Sequence, residues 1–239
     1  MTPASSTEPG SDWKLPVAVA VLTTALVTLL SRFLPESASA TGVGLAFLTV
    51  TYLVALRSAD TDRVRHYGLS LGGLLETEPL GARKMLVAGV RALGWAALFA
   101  AVTFPAFWAG FWFWYRPQHA FSPNSALLLS DEAWGQLLVI ALPEEAFYRG
   151  YLQTAFDDVL RHRWTLLGAK VGPSLLLSSA LFALGHLLTE PNLSRLAVFF
   201  PALLFGWLRA RTGGIGPAVL FHAMCNLFSW FLASSYGLL

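Results

Sequence analysis

Two adjacent carboxylates and an arginine, Glu144, Glu145 and Arg149, interrupt an apolar stretch that is long enough to cross a membrane. Each such charge costs about 2.5–3.5 kcal/mol at the centre of a spanning helix, so the fold has to compensate all three. Glu145 and Arg149 are four residues apart and can pair on one helix face. Glu144 is rotated by about 100° from Glu145 and has no local partner. The cluster is either a salt bridge that fixes helix packing or a reaction site, and ionisable groups inside membranes favour the reaction site.

Three further polar residues lie in later apolar segments. His222 and Asn226 are four residues apart on one helix face, and His186 lies in a separate segment. Each histidine alone could be a packing residue. Together with the glutamates, these residues supply a base for water, proton carriers and donors to an oxyanion, which are the parts of a hydrolytic site.

The two glutamates have different predicted roles. Burial and a neighbouring like charge both favour the neutral form of a carboxyl group, which suits a general base near neutral pH. Because Arg149 can hold Glu145 ionised, Glu144 is the predicted base. Asn226 and one of the histidines are the predicted donors to the tetrahedral intermediate.

A zinc site is the alternative arrangement of the same side chains. Glu144, His186 and His222 could form a His₂Glu site with one open position. The sequence has no H-E-x-x-H pair, and asparagine is a poor zinc ligand. We therefore expect no cofactor, with zinc as the alternative.

The composition is that of an integral membrane protein. Hydrophobic residues make up 55% of the 239 residues and charged residues 13%, and the mean hydropathy is +0.57. The net charge of +2 is too small to indicate a nucleic-acid partner. The single cysteine, Cys225, excludes an internal disulfide and a multi-cysteine zinc site.

The apolar segments predict an all-α, polytopic transmembrane helix bundle of about seven spans, with the active site inside the bundle. The segments lie at about 15–34, 42–56, 85–115, 133–156, 172–188, 193–208 and 217–236. Residues 1–12 are predicted to be a disordered N-terminal tail, and residues 13–239 a single transmembrane domain. The catalytic core, which carries the motifs, is predicted at about 132–232.

Lysine and arginine are distributed unevenly between the loops. They concentrate after the second, fourth and sixth segments, whereas the loops after the first, third and fifth hold Arg116 alone, with Arg195 just inside the sixth segment. By the positive-inside rule, this predicts a cytoplasmic N-terminus and an exterior C-terminus. The expected location is the bacterial inner (cytoplasmic) membrane.

Three motifs, in this order on separate apolar segments, resemble those of the CPBP family of intramembrane proteases: Glu144-Glu145-x-x-x-Arg149, Phe182-x-x-x-His186 and His222-x-x-x-Asn226. This family includes the type II CAAX prenyl proteases and the Abi bacteriocin-immunity proteins. The resemblance covers about Glu132 to Leu232. It implies a helical membrane peptidase in which the first glutamate activates water, the histidines and the asparagine assist, and the second glutamate and the arginine support them.

The resemblance also implies the kind of partner, although not its identity. The expected substrate is a membrane-associated protein or peptide, either lipidated or carrying a C-terminal sorting tail. Two other functions fit the same residues: a non-enzymatic scaffold or immunity protein held together by the polar cluster, and a proton-coupled transporter with a Glu–His relay. No internal repeat supports a transporter.

The predicted boundaries place the motif residues at different depths. Glu144 and His222 fall in the cytoplasmic half of the bilayer, whereas His186 lies about 20 Å from the cytoplasmic start of its helix. Either a later start of the fifth helix, with residues 171–177 outside the hydrocarbon, or helix tilt would bring them level. We therefore expect an endopeptidase that acts near the cytoplasmic side.

Overall fold

The computed structural model describes residues 12–124 and 131–239, which fold almost entirely into helices. The predicted N-terminal tail lies outside the described residues except for Asp12. The helices are α1 (Lys14–Phe33), α2 (Glu36–Thr51), α3 (Thr61–His66), α4 (Ala82–Tyr115), α5 (Asp131–Trp134), α6 (Leu142–Glu145), α7 (Gln153–Leu160), α8 (Pro173–Thr189), α9 (Phe199–Thr212) and α10 (Gly216–Ser235). Short 3₁₀ helices lie at Leu71–Gly73 and Leu193–Val198, and π-helical turns at Tyr52–Leu56, Gly135–Ala141 and Ala146–Leu152.

The chain is a helical integral membrane protein, as predicted. Within the described residues, five helices are long and apolar enough to cross a membrane: Lys14–Phe33, Glu36–Leu56, Ala82–Tyr115, Leu193–Thr212 and Gly216–Ser235. α8 is apolar but shorter. Each of the seven predicted segments coincides with a helix, and the number that spans the bilayer stays a prediction.

Residues 131–160 form one continuous helical element, which we call the motif helix. It consists of α5, α6 and α7 joined by the π-helical turns at Gly135–Ala141 and Ala146–Leu152. Pro143 lies between these turns and has no N–H to offer the carbonyl of Val139, the acceptor in an α-helical ladder. Gly44 of α2 packs directly against that carbonyl, and a side chain there would collide with it. π-helical turns inside α-helices are frequent at functional sites.

Six elements form a ring, in the order α1, α2, motif helix, α10, α9 and α8, and α8 closes the ring against α1. α4 lies outside this ring and packs against α10. Three alanines on α4, Ala92, Ala96 and Ala100, are buried at a spacing of four residues. Small residues at this spacing allow two membrane helices to approach closely, which explains why α4 packs on α10.

The connection between α2 and α4 folds back into the bundle. The backbone N–H of Ile215, in the α9–α10 turn, donates to the carbonyl of Gly68 at 3.0 Å, and Leu69 lies against Gly150 of the motif helix. Gly68 has a φ of +66° and packs on the Arg209 side chain, so both its backbone conformation and its surroundings require glycine. We call Leu69, Gly150 and Ile215 the floor of the ring.

A β-hairpin joins the motif helix to α8 and is absent from the sequence predictions. β1 (Trp164–Leu166) pairs antiparallel with β2 (Ala169–Val171). The two turn residues, Leu167 and Gly168, both have positive φ, as two-residue hairpin turns require. Trp207 of α9 donates a hydrogen bond from Nε1 to the carbonyl of Leu166 at 2.9 Å, which fixes the hairpin against the ring.

Candidate active site

A cavity of about 570 Å³ occupies one end of the ring, and we call it the chamber. The predicted residues Glu144, His186, His222 and Asn226 all line it, together with apolar side chains from α1, α2 and α9. Glu145 and Arg149 do not line the chamber; they lie behind it. The structure therefore brings together the four polar residues that the sequence places on three separate helices.

Glu145 and Arg149 form an ion pair that is fully buried. Arg149 Nη1 donates to Glu145 Oε1 at 2.8 Å, and both side chains are 0% exposed. Arg149 Nη2 donates to the carbonyl of Ala202 on α9 at 3.2 Å. The guanidinium also lies over the rings of Phe182 and Phe205, at 4.4 and 5.1 Å from their centroids. These aromatic faces favour a cation at a position that water does not reach.

His222 lies between the two glutamates, which the sequence did not indicate. Its Nδ1 is 2.9 Å from Glu145 Oε1, the same oxygen that accepts from Arg149. Its Nε2 is 3.8 Å from Glu144 Oε2. Because an ionised carboxylate only accepts hydrogen bonds, Nδ1 must be the donor to Glu145. Glu145 thus fixes the orientation of the imidazole and directs Nε2 toward Glu144.

Glu144 is the glutamate that faces the chamber. Its side chain is 13% exposed, against 0% for Glu145. Among the described residues, no side chain or backbone group makes a hydrogen bond to Oε2 of Glu144. The distance of 3.8 Å between Glu144 Oε2 and His222 Nε2 exceeds the length of a hydrogen bond. A small polar molecule can therefore lie between the two groups and form a hydrogen bond with each.

His186 is held by the backbone of its own helix. Its Nδ1 lies 3.0 Å from the carbonyl of Phe182, so Nδ1 carries the proton and Nε2 of the neutral ring is free to accept one. The Phe182 ring contacts both histidines, with centroid distances of 4.4 Å to His186 and 5.8 Å to His222. Phe182 therefore spaces the two imidazoles as well as packing against Arg149.

Asn226 has a partner that sequence reasoning missed. Its Nδ2 donates to Gln136 Oε1 at 2.9 Å, which leaves the second N–H of the amide available. Gln136, Ile140, Glu144 and Tyr148 all line the chamber at a spacing of four residues. In a pure α-helix, the directions of side chains four residues apart differ by about 40°. The π-helical turns hold more residues per turn, and so they keep the four side chains on one face.

The bounds of the helices bear on the predicted difference in depth. α8 begins at Pro173, close to the predicted start of the fifth segment at about residue 172. The motif helix extends to Leu160, which places Glu144 about 24 Å from the hairpin; His186 is about 20 Å from the same hairpin. α10 begins at Gly216, and the turn before it is bound to Gly68 through the N–H of Ile215.

Zinc is the alternative arrangement of these side chains. Within residues 12–124 and 131–239, no group of three or more His, Cys, Asp or Glu side chains is placed so that it could hold a metal ion. The Nδ1 atoms of His222 and His186 are engaged by Glu145 and by a backbone carbonyl, which leaves Nε2 as the ring nitrogen that either histidine could offer to a metal. We therefore derive no catalytic step through zinc, and metal dependence stays a question for experiment.

Comparison with known proteins finds a family match for part of the chain. Residues 126–228 match the family model of type II CAAX prenyl endopeptidase Rce1-like proteins. This segment overlaps the predicted core at 132–232 and contains all three motifs. No curated protein and no solved structure matches the chain.

Proposed function

We propose that this chain, whose residues 126–228 belong to the Rce1-like type II CAAX prenyl endopeptidase family, is an intramembrane endopeptidase that uses a glutamate-activated water. The observation that carries the proposal is the position of His222 between Glu144 and Glu145, beside a chamber large enough for a peptide segment. Of the two carboxylates, only Glu144 reaches the chamber, which makes it the base.

The proposed reaction begins with a water between Glu144 and His222. Glu144 accepts a proton from this water, whose oxygen attacks the carbonyl carbon of the scissile peptide bond. The second N–H of Asn226 donates to the developing oxyanion, and Gln136 holds the amide in place. The proton then passes through His222 or His186 to the leaving nitrogen as the C–N bond breaks. The products are a new carboxylate and a new amine.

Glu145 and Arg149 are positioning residues in this mechanism. Arg149 pairs with Glu145 in a site that water does not reach, and Glu145 in turn holds His222 through Nδ1. This relation between a buried carboxylate and an imidazole resembles that in catalytic triads, where the carboxylate selects the tautomer of the histidine.

Substitution of the proposed base tests the function. Glu144→Ala and Glu144→Gln should abolish processing of natural substrates while the protein stays folded and inserted. The readout is the set of new termini in the membrane proteome of cells that express each variant. Glu36→Gln, at an exposed glutamate in the first turn of α2, is the matched control and should process like the wild type.

Three results separate the proposal from its alternatives. Unchanged processing by Glu144→Ala would refute the assignment of the base. A scaffold or immunity function predicts that the nearly isosteric Glu144→Gln keeps biological activity. Treatment with a chelator should leave processing unchanged if no metal takes part; loss that added zinc restores would replace the glutamate mechanism by a metal-dependent one.

A further inference from the structure

The chamber lies at one particular end of the ring. The residues that line it come from the second half of α1, from α2, from the motif helix as far as Tyr148, from the second half of α8, from the first half of α9, and from α10 from His222 onward. Examples are Ser31, Ala40, Gln136, Thr189 and Ala233. Among the described residues, the loops at the other end contribute none to the wall. We call these two ends the chamber end and the basic end.

The sixteen lysines and arginines divide very unequally between the two ends. Eleven lie at or near the basic end: Lys14, Arg57, Arg63, Arg65, Arg83, Lys84, Arg161, Arg163, Lys170, Arg209 and Arg211. The chamber end has Arg32, Arg116 and Arg195. By the positive-inside rule, the basic end is cytoplasmic, and the chamber end therefore faces the opposite compartment.

The basic end of the ring is also closed to a substrate. The floor residues Leu69, Gly150 and Ile215 are buried between the chamber and the basic loops. Below them, Gln153 Nε2 donates to the carbonyl of Gly206 at 3.1 Å, and Arg209 Nη2 donates to the carbonyl of His66 at 2.7 Å. A polypeptide that approached from the cytoplasm would have to break these contacts to reach Glu144.

We propose that the chamber opens to the extracytoplasmic side of the membrane and that the substrate is an apolar segment of an exported or membrane-anchored protein, cut near the outer leaflet. This proposal rests on the endopeptidase function proposed above. It replaces the expectation of a site near the cytoplasmic side, and it excludes the C-terminal tail of a cytoplasmic protein as the substrate. The motif helix allows this arrangement because it extends to Leu160, beyond the predicted end at about residue 156.

The chemistry of the chamber wall fits such a segment. Val27 of α1, Val43 of α2, Ile140 of the motif helix and Trp230 of α10 present apolar surface on several sides. Glu144 lies in the same wall, with His222 Nε2 at 3.8 Å from its Oε2. An apolar helix or extended segment can therefore lie along the wall while one peptide bond reaches the glutamate.

Cysteine labelling tests the orientation without any activity measurement. In a Cys225→Ala background, Ser37→Cys places a thiol on the exposed α1–α2 turn at the chamber end, and Thr165→Cys places one on the exposed hairpin at the basic end. A membrane-impermeant maleimide added to intact cells should label the Ser37→Cys variant and should label the Thr165→Cys variant only in inverted vesicles. The reverse pattern, or labelling of both variants in intact cells, would overturn the proposal.

A second arm tests the side from which the substrate enters. Ser229 and Cys225 both line the chamber, so processing by Ser229→Cys in the same background and by Cys225→Ala alone is first measured without reagent, and each variant then serves as its own reference for blocking. An impermeant thiol reagent added to intact cells should stop processing in this variant and not in Cys225→Ala alone. Continued processing with the thiol fully modified would contradict entry from this side. If Glu144→Ala still processes substrate while the labelling pattern holds, the endopeptidase function fails and the orientation stands.

Discussion

Arg149 is the side chain whose removal should destabilise the protein most clearly. Arg149→Met keeps much of the length and apolar contact of the side chain but deletes its charge. Glu145 then loses its cationic partner at 0% exposure, with His222 as its remaining polar partner. Removal of one member of a buried ion pair costs about 3–5 kcal/mol because the other charge is left uncompensated. Such a loss is a large fraction of the stability of a typical domain.

An exposed ion pair in the same protein provides the control for the buried one. Arg195 Nε lies 3.2 Å from Glu190 Oε2, and these side chains are 39% and 61% exposed. Exposed pairs contribute about 0–1 kcal/mol, so Arg195→Met should change stability little. The double variant Arg149→Met/Glu145→Gln removes both buried charges, and it should recover about 2 kcal/mol relative to Arg149→Met alone.

Equilibrium unfolding in detergent micelles measures all four proteins, with thermal unfolding as an independent check. Because Glu145 also orients His222, processing should be lost in both Arg149→Met and the double variant, although only the first is strongly destabilised. The reasoning is refuted if Arg149→Met is no less stable than Arg195→Met. It is also refuted if the double variant is as unstable as Arg149→Met, since the cost would then not come from the unpaired carboxylate.

Three further predictions concern positions outside the buried pair. Gln136→Leu should lower the processing rate by up to about 100-fold, because the Asn226 amide on α10 loses the acceptor that positions it. Gln136→Glu keeps an accepting oxygen, and its processing rate should stay close to that of the wild type. Gly44→Ala should lower the free energy of unfolding by about 1–3 kcal/mol because its methyl group meets a backbone carbonyl, whereas Gly89→Ala on α4 meets no neighbour within 4 Å and should not destabilise. The hydrogen bond from Arg65 lowers the pKa of Glu76 from 4.5 to about 2, so its contribution to stability is complete above about pH 4.5 and is lost as the pH falls toward 2. Unfolding of Glu76→Gln across this range should therefore show a weaker acid dependence than the wild type, and parallel curves would contradict the assignment.

Hydropathy and the spacing of residues along the chain predict much of this structure. A run of about 20 apolar residues can satisfy its backbone inside a membrane only as a helix, so each predicted segment became one. The spacing of Glu145 and Arg149 places them on one face, where the structure pairs them. The sequence also indicated that Glu144 differs from Glu145, because a neighbour in a helix points about 100° away.

The remaining features depend on contacts between distant parts of the chain. The π-helical turns around Pro143 are stabilised by tertiary packing against Gly44, about a hundred residues earlier, and a helical-periodicity pattern does not contain this information. The hydrogen bond from His222 to Glu145 joins α10 to the motif helix across 77 residues of sequence. Side-chain partners of this kind follow from the three-dimensional arrangement and not from spacing along one helix.

The position of Gly68 and Leu69 has a consequence for the size of the functional unit. The segment that matches the family model begins at residue 126, yet the floor beneath the proposed site contains Leu69, and α2 contributes to the wall of the chamber that Glu144 faces. A fragment limited to residues 126–228 would lack both, and water could then reach the buried Glu145–Arg149 pair from below. The first half of the chain is thus part of the structure that encloses the proposed site, even though it carries none of the motifs.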